Sequence, residues 1–310
     1  MRGMPRVNLM WIVALASACA GGAQKEEAQP RDEVIRPIEE LPEAYRELWR
    51  AFLDQSPDWE ELRDAASEDP DQRVFLVTNL VRARIRAFAA GTLGQTEHPN
   101  TLLYMRTGNE LVALGPVAAP AVGELLALGH GEGRIMASDL LLRMGNVGLD
   151  PLLVQLDRDD SVDARRRSAD LLAQMPHGVD GKEEQVRNAL IRHLDEDEDW
   201  MVRERSAFAL ARRGMRDETI TDARKALCRA LLDEDHDVRR QAGEGLVALK
   251  DLDCIPAVLN LLDRSSREAD VSGLRLAQDV MLALTGETER RDARAWRRWW
   301  TEERAALIGR

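Results

Sequence analysis

Residues 195–214 read DEDEDWMVRERSAFALARRG, and residues 233–249 read DEDHDVRRQAGEGLVAL. Each stretch opens with a run of carboxylates, reaches an arginine (Arg203 or Arg239), and has a leucine seven residues after that arginine. The apolar residues in between lie three and four positions apart, which is the spacing of one buried helix face. The two stretches therefore predict the same capped amphipathic helix, repeated after 36 residues.

The same unit recurs along most of the chain. Six positions are separated by 30, 31, 38, 36 and 36 residues, and each has a leucine seven residues later. They are Tyr104, Arg134, Arg165, Arg203, Arg239 and Arg275, and the leucines are Leu111, Leu141, Leu172, Leu210, Leu246 and Leu282. A second apolar segment follows each first one, since GPVAAPAVGELLAL from Gly115 aligns with GNVGLDPLLVQL from Gly145. We see no sustained period-two alternation, so the repeats predict an all-α chain of helix pairs.

These stretches resemble HEAT repeats, specifically the short HEAT-like repeats first described in phycobilin lyases, over residues 100–290. The resemblance implies a right-handed α-solenoid of about six helix pairs, each packing on its neighbours and offering a surface to another protein. It assigns the concave binding wall to the second helix of each pair. The polar positions that we take as candidate partner contacts there are Arg187, Asn188, Arg192, Arg224, Arg229 and Asn260.

Both ends of such an array need covering. Residues 43–99 are rich in aromatic side chains and are predicted to form an N-terminal helical cap, in which Arg73 and Leu80 repeat the arginine and leucine spacing and indicate a degenerate repeat. Residues 291–310 are predicted to form a C-terminal capping helix. Its tryptophans, at spacings of three and four, predict one buried face; they are Trp296, Trp299 and Trp300.

The N-terminus has the composition of an export signal. Residues 1–18, MRGMPRVNLMWIVALASA, carry two arginines followed by an apolar run of about a dozen residues, which is shorter than the roughly 20 that span a bilayer. The segment 15–19, LASAC, resembles the lipobox of bacterial lipoproteins, which implies that Cys19 becomes the acylated first residue of the mature chain. Ala16 stands where that family usually has leucine, and an ordinary cleaved signal with a free Cys19 is the alternative.

The residues after Cys19 indicate how the chain is attached. By the same resemblance, Ala20 in place of aspartate favours the outer membrane of the cell envelope. Residues 19–42 contain glycine, glutamine, glutamate and proline and little that could be buried. They predict a flexible tether.

The balance of charged residues limits the classes of partner and of chemistry that the sequence predicts. Lys and Arg total 43 against 55 Asp and Glu, a net charge of -12, which argues against nucleic acid. Arginine outnumbers lysine 39 to 4, so Schiff-base chemistry is not expected. The acidic runs at residues 157–160, 195–199 and 233–237 lack the glycine that a calcium-binding loop requires. We expect them to cap helices. The alternative is an acidic ridge that binds a cation or a basic partner. The HEAT resemblance implies that Arg203, Arg239 and Arg275 link successive repeats.

The sequence offers no catalytic set. The five histidines lack metal-ligand spacing and no His-Glu pair occurs, so we predict no metal, no cofactor and no catalytic residue. When the repeats are aligned so that Leu231 matches Leu261, Cys228 and Cys254 are offset by about 6 Å along two helices whose axes lie some 9 Å apart. That separation is beyond the reach of a disulfide, so two free thiols are expected.

The predicted function is a membrane-tethered scaffold that binds another protein in the bacterial cell envelope. Two alternatives remain: a lyase-like or chaperone-like solenoid that holds a small ligand, and a structural protein of the envelope.

Overall fold

A computed structural model describes residues 41–127, 131–158, 160–178, 181–215 and 221–308. The predicted signal, Cys19 and nearly all of the predicted tether lie outside these residues. The regular structure in the described ranges is helical, which confirms the all-α class. None of the helices in these ranges is long and apolar enough to cross a membrane.

The chain divides into two compact units, Met1–Pro151 and Leu152–Arg310. The described helices of the first unit are α1 (Glu43–Leu53), α2 (Trp59–Glu68), α3 (Pro70–Ala89), α4 (Pro99–Ala113), α5 (Ala119–Glu124) and α6 (Gly131–Met144). Helix α7 (Leu149–Leu156) begins in the first unit and ends in the second. The helices of the second unit are α8 (Val162–Gln174), α9 (Glu183–Glu196), α10 (Trp200–Gly214), α11 (Thr221–Ala230), α12 (His236–Ala248), α13 (Ile255–Glu268), α14 (Val271–Thr285) and α15 (Ala293–Ile308).

The repeat positions found in the sequence fall on the first helix of each pair, namely α4, α6, α8, α10, α12 and α14. Five of the six repeat leucines are buried, and Leu282 in the last pair is half-buried. Gly145 and Gly286 follow α6 and α14 with φ of 58° and 75°, a left-handed conformation that ends a helix at little cost for glycine. The helix pairs predicted from the spacing are thus confirmed.

The second unit has two layers of helices. First helices α8, α10, α12 and α14 pack side by side, and second helices α9, α11, α13 and α15 form the other layer. Each second helix also packs on the first helix that follows it, as α9 does on α10 and α13 on α14. Neighbouring pairs therefore share one core, as a repeat array requires.

Two of the three acidic runs cap the helices that follow them, as predicted. At the third, residues 157–160, the prediction is wrong, because the cap of α8 is the Ser161 hydroxyl, which accepts the Ala164 amide. The Asp199 carboxylate accepts the Val202 amide at the start of α10, and the Asp235 carboxylate accepts the Val238 amide at the start of α12. Asp270 caps α14 in the same way through the Gly273 amide. Each cap satisfies an amide that has no partner within its helix.

Buried arginines join successive pairs, and we call this set the arginine ladder. Arg165 donates to both carboxylate oxygens of Asp197 at 2.9 and 3.1 Å, and Arg203 does the same to Asp233 at 2.9 and 3.0 Å. Arg239 donates to Asp270 at 3.1 Å. The inter-repeat role predicted for Arg203 and Arg239 is confirmed.

Each ladder arginine also reaches back to the turn before its own helix. Arg203 donates to the carbonyls of Asp197 and Glu198, and Arg239 donates to the carbonyls of Asp233 and Glu234. Asp197 and Asp233 therefore accept from two successive arginines, one at the carboxylate and one at the carbonyl. The ladder is a continuous hydrogen-bonded chain through four first helices.

Arg275 departs from this pattern, which corrects the prediction of an inter-repeat ion pair there. Its side chain is exposed, and no ion pair joins it to another residue of the described ranges. The reason is positional: the segment after α14 leads to the last helix, and no further acidic turn of the repeat follows.

In α4, the position that corresponds to the ladder arginines is occupied by Tyr104, and an arginine from a different helix contacts it. Arg84 of α3 is buried, stacks 3.7 Å from the Tyr104 ring centre and donates to the Tyr104 carbonyl and to Asp139. A Cβ at Gly108 would lie 2.1 Å from the Arg84 guanidinium, so glycine leaves the room that the arginine occupies.

Arg73 supports the degenerate repeat predicted near the N-terminus. It donates to the carbonyls of Ser67 and Glu68, which are the same distances back along the chain as in the ladder arginines. At the other end, Trp296 is fully buried and Trp300 nearly so, and the Trp296 indole donates to Gln278 at 2.9 Å. The buried face predicted from the tryptophan spacing is present at Trp296 and Trp300, whereas Trp299 is half-buried.

The prediction of free thiols is wrong, because Cys228 and Cys254 form a disulfide with their Cα atoms 5.6 Å apart. The alignment behind that prediction matched Leu231, in a turn after α11, with Leu261 in the middle of α13. Cys254 instead lies just before α13, against the α11 face that carries Arg224 and Cys228. A repeat aligned by sequence alone does not fix this register.

Breaking the ladder should destabilise the second unit far more than changing the same repeat position elsewhere. Arg203→Met keeps the length of the side chain but leaves the Asp233 carboxylate without its paired charge, so we expect a loss of about 3–5 kcal/mol in the free energy of unfolding. Arg275→Met is the matched control and should change it by less than about 0.5 kcal/mol. Urea unfolding followed by circular dichroism measures both, and equal losses would contradict the role of the ladder.

Candidate functional site

The six candidate partner contacts lie on three successive second helices of the second unit. Arg187, Asn188 and Arg192 are on α9, Arg224 and Arg229 are on α11, and Asn260 is on α13. The exposed members are Asn188, Arg192, Arg229 and Asn260, and we call their surface the second-helix face. The structure thus places all six predicted residues in the layer of second helices.

Two arginines of this face are held by aspartates of the preceding second helix or the turn after it. The Arg192 guanidinium pairs with Asp157, just after α7, and Arg229 pairs with Asp195 of α9 at 2.5 Å. The arginine side chains are 50% and 54% exposed, so their outer edges stay open to solvent. Exposed pairs of this kind add little to stability, typically below about 1 kcal/mol, but they fix the direction of the guanidinium.

The same arrangement continues to the last helix. Arg297 of α15 pairs with Asp263 of α13 and also donates to the Asn260 side chain at 3.3 Å. Between these positions, Arg264 of α13 donates to the Leu232 carbonyl at 2.8 Å. The face is therefore crossed at each step by an arginine that reaches back to the previous second helix, and we call this the surface arginine row.

Arg187 and Arg224 differ from the other candidates because both are half-buried. Arg187 lies beside His177 and Glu183, near the Arg213 side chain. The Arg224 Nε atom is buried without a hydrogen-bond partner, and its positive charge acts on Asp251. These two arginines face neighbouring side chains more than they face solvent.

His193 joins the arginine ladder to the surface arginine row, and the sequence analysis missed it. Its Nδ1 atom is 2.9 Å from the Asp197 carboxylate of the ladder, and its Nε2 atom is 2.8 Å from the Asp157 carboxylate of the row. Carboxylates at both ring nitrogens require both nitrogens to donate, which is the protonated imidazolium. The signal in the sequence that could have indicated this contact is the four-residue spacing between His193, near the end of α9, and Asp197, just after it.

The pKa values in this cluster follow from its geometry. Burial lowers the pKa of His193, but hydrogen bonds from its ring to Asp197 and Asp157, and their charges, outweigh burial and raise it. Burial would raise the pKa of Asp197, yet hydrogen bonds from His193, Arg165 and the Asp199 amide lower it to about 2. The cluster is therefore an imidazolium held between two carboxylates.

The loop between α8 and α9, which lengthens the third repeat to 38 residues, is anchored to the core. Arg213 of α10 is buried and donates to the Leu172 and Pro176 carbonyls and to the Glu183 carboxylate. Glu183 also accepts the Gly178 amide at 3.1 Å. The part of this loop that the structure describes is thus fixed to the helices on either side.

A groove of about 760 Å³ opens between first helices α12 and α14. Its floor is apolar and includes Val247, Leu276 and Val280, and its edges carry Arg240 and Asp279. Glycine at position 243 allows the two helices to approach closely, since a Cβ atom there would lie 2.9 Å from the Val280 side chain. The sequence does not predict this groove, since the HEAT resemblance points to the second helices for binding.

Protonated His193 should make the stability of the second unit depend on pH. A pKa that folding raises gives stability that is complete below the unfolded-state pKa, about 6.5, and is lost as pH rises through the folded-state value. Removing two charged hydrogen bonds by His193→Gln should cost roughly 1–3 kcal/mol near pH 5.5 and markedly less near pH 9.

The matched control for this measurement is His236→Gln, an exposed histidine at the start of α12. Unfolding free energies of the three proteins across the pH range provide the test. A deficit of His193→Gln that stays constant with pH would show that the histidine is neutral in the folded protein.

Comparison with known proteins supports the repeat class of the second unit. A family model described as HEAT repeats matches residues 187–281. No curated protein matches the chain. One solved structure, the crystal structure of an engineered protein, aligns with a TM-score of 0.38 and 15% identity over 79% of this chain and 98% of that one, a similarity too low to support an argument. Residues 187–281, which include α10 to α13, are therefore similar to HEAT repeats.

Proposed function

We propose that this chain is a membrane-tethered scaffold that binds another protein through the second-helix face. The observation that carries the proposal is the surface arginine row, which lies on the HEAT repeats and presents partly exposed guanidinium groups in fixed directions. HEAT repeats are typical of protein-interaction scaffolds. Binding, rather than catalysis of a reaction, is part of the proposal.

The chemistry of the row favours a polypeptide partner. Each guanidinium stands beside a carboxylate, so a partner that carries both signs of charge can pair with both groups at once. A phosphate backbone would meet Asp157 and Asp195 at the same places and be repelled, in keeping with the net charge of -12. Fixed side chains also lose less freedom on binding than mobile ones.

The tether completes the proposal. An acylated Cys19 followed by a flexible segment to about residue 42 would hold the repeats near a membrane while leaving them free to meet a partner. Several acyl chains on one residue give stable attachment, since each buried CH₂ contributes about 0.8 kcal/mol. We place the protein by this route in the bacterial cell envelope, at the outer membrane.

A photo-crosslinking residue at position 188, on the second-helix face, should capture a protein in intact bacterial cells. The same residue at position 174, exposed at the end of first helix α8, is the matched control and should not capture it. Charge reversal by Arg192→Glu with Arg229→Glu should reduce the yield by about tenfold, because two paired guanidiniums are lost. Mass spectrometry of the crosslinked bands is the measurement.

Equal capture at positions 188 and 174, or none at either, would contradict the proposed surface. A visible absorbance band that co-purifies with the protein would favour the ligand-holding alternative. A phenotype set by tether length and insensitive to the charge reversal would favour a structural role in the envelope.

Cys19→Ser should release the protein from membranes, because serine in place of the thiol prevents lipidation. Fractionation followed by a carbonate wash measures the membrane-bound share. Cys228→Ser is the matched control, since it removes a different cysteine and should leave the protein in the membrane fraction. A Cys19→Ser protein that stays membrane-bound would exclude lipid attachment at this residue.

A further inference from the structure

The disulfide between Cys228 and Cys254 connects two second helices and has a buried acid beside it. Cys228 is on α11, and Cys254 immediately precedes α13. Asp251 lies in the short turn before Cys254, and its Oδ2 atom is 3.8 Å from the Cys254 sulfur. Asp251 is 4% exposed and Cys254 is 1% exposed, whereas Cys228 is half-buried.

The two sulfurs are therefore not equivalent. Cys228 is the more exposed of the two residues and Cys254 is enclosed, so we expect an external thiolate to attack the Cys228 sulfur. Attack on Cys228 makes Cys254 the leaving group. Cys254 is the residue before a 14-residue helix, where the positive end of the helix dipole favours a thiolate and so promotes its departure.

Asp251 is placed to complete that step. Its Oδ1 atom accepts the Asp253 amide at 3.1 Å, which leaves Oδ2 towards the sulfur. Burial raises the pKa of Asp251 and the charge of Arg224 opposes this, so the side chain holds its proton more tightly than an exposed aspartate. In the described ranges, Cys228, Asp251 and Cys254 form a cluster whose sulfur and oxygen atoms lie within 4.8 Å of one another.

We propose that Cys228–Cys254 is an exchangeable disulfide that accepts two electrons from a dithiol, with Asp251 as the proton donor to Cys254. In the first step, a thiolate of the dithiol bonds to the Cys228 sulfur, the disulfide breaks, and Cys254 leaves with the electron pair and takes the Asp251 proton. In the second step, the other thiolate attacks the sulfur of the reductant in the mixed disulfide and releases the Cys228 thiolate, which takes a proton from water.

The balance of this exchange is two electrons and two protons moved from the dithiol to the cysteine pair. The dithiol becomes a disulfide, and Asp251 regains its proton from water. The surroundings of the attacked sulfur suit an anionic thiolate, because Arg224 and Lys225 lie one turn earlier on α11 and Arg229 follows Cys228 directly. This inference does not depend on the proposed scaffold function or on the tether.

The test uses the full chain with dithiothreitol as the dithiol, in buffer without denaturant, and mass spectrometry of alkylated thiols as the readout. We expect complete reduction while circular dichroism shows the helices intact. A disulfide that serves only as a covalent brace would be reduced only at urea concentrations that unfold the second unit, and that result would overturn the proposal.

Asp251→Asn tests the proton donor, since it keeps an oxygen for the Asp253 amide but carries no acidic proton. We expect reduction at least about tenfold slower than in the unaltered protein near neutral pH. Asp279→Asn, which changes an exposed carboxylate on α14 that pairs with Arg290, should leave the rate unchanged. Equal rates in the two variants would remove Asp251 from the mechanism.

The assignment of the attacked sulfur is tested separately with single cysteines and glutathione disulfide. In Cys254→Ser the remaining Cys228 should form a mixed disulfide at least about tenfold faster than Cys254 does in Cys228→Ser, because access differs. The reverse order would overturn the proposed direction of attack. Circular dichroism checks that both variants remain helical.

Discussion

The second unit depends on one interaction above the others, the buried pairing of an arginine with the aspartate of the next turn. Removing a guanidinium or a carboxylate from water costs several kcal/mol, and only a close pair with its remaining donors and acceptors satisfied offsets this. The ladder meets that condition because each arginine bonds to a carboxylate in front and to carbonyls behind. It therefore sets the position of each first helix relative to the turns on both sides.

Burial of these pairs declines along the chain. The arginine side chain is 6% exposed in the Arg165 pair and 10% in the Arg239 pair, and the partner carboxylates go from 3% to 26%. Arg275, the next member of the series, is exposed. The ladder thus ends gradually, and the C-terminal pair relies instead on apolar burial, with Trp296 beneath Arg291 and hydrogen-bonded to Gln278.

The ladder arginines could be located in the sequence because they recur in phase with a buried leucine, and their inter-repeat role is implied by the HEAT resemblance for Arg203 and Arg239. Sequence reasoning could place the caps as well, since a carboxylate run just before an amphipathic helix has a direct physical reading. It could not predict that Asp197 serves the ladder, a cap turn and His193 at once, because Arg165, the ladder partner of Asp197, lies 32 positions away and Asp157, the second partner of His193, lies 36 positions from that histidine. Tyr104 illustrates the same limit: its partner Arg84 comes from a helix outside the recognised phase.

The candidate site followed the same division. The HEAT resemblance placed the six polar residues on second helices, but it implied nothing about Asp157 and Asp195, which hold two of them. The disulfide was mispredicted for a related reason. Spacing between repeats gives the order of helices, whereas a contact such as Cys228 with Cys254 depends on where each helix begins, and α11 and α13 begin at different points of their repeats.

The acidic side chains, which the sequence assigned to helix capping, are distributed among several tasks. Asp197, Asp233 and Asp270 are ladder partners, Asp199 and Asp235 are caps, and the aspartates of the surface row orient arginines. Because these carboxylates are already paired, the net charge of -12 overstates how strongly the second-helix face repels an acidic partner. The proposed partner would recognise the local alternation of guanidinium and carboxylate. Since an ion pair of that kind is weak at the surface, it could exchange one member for a group of the partner at little cost.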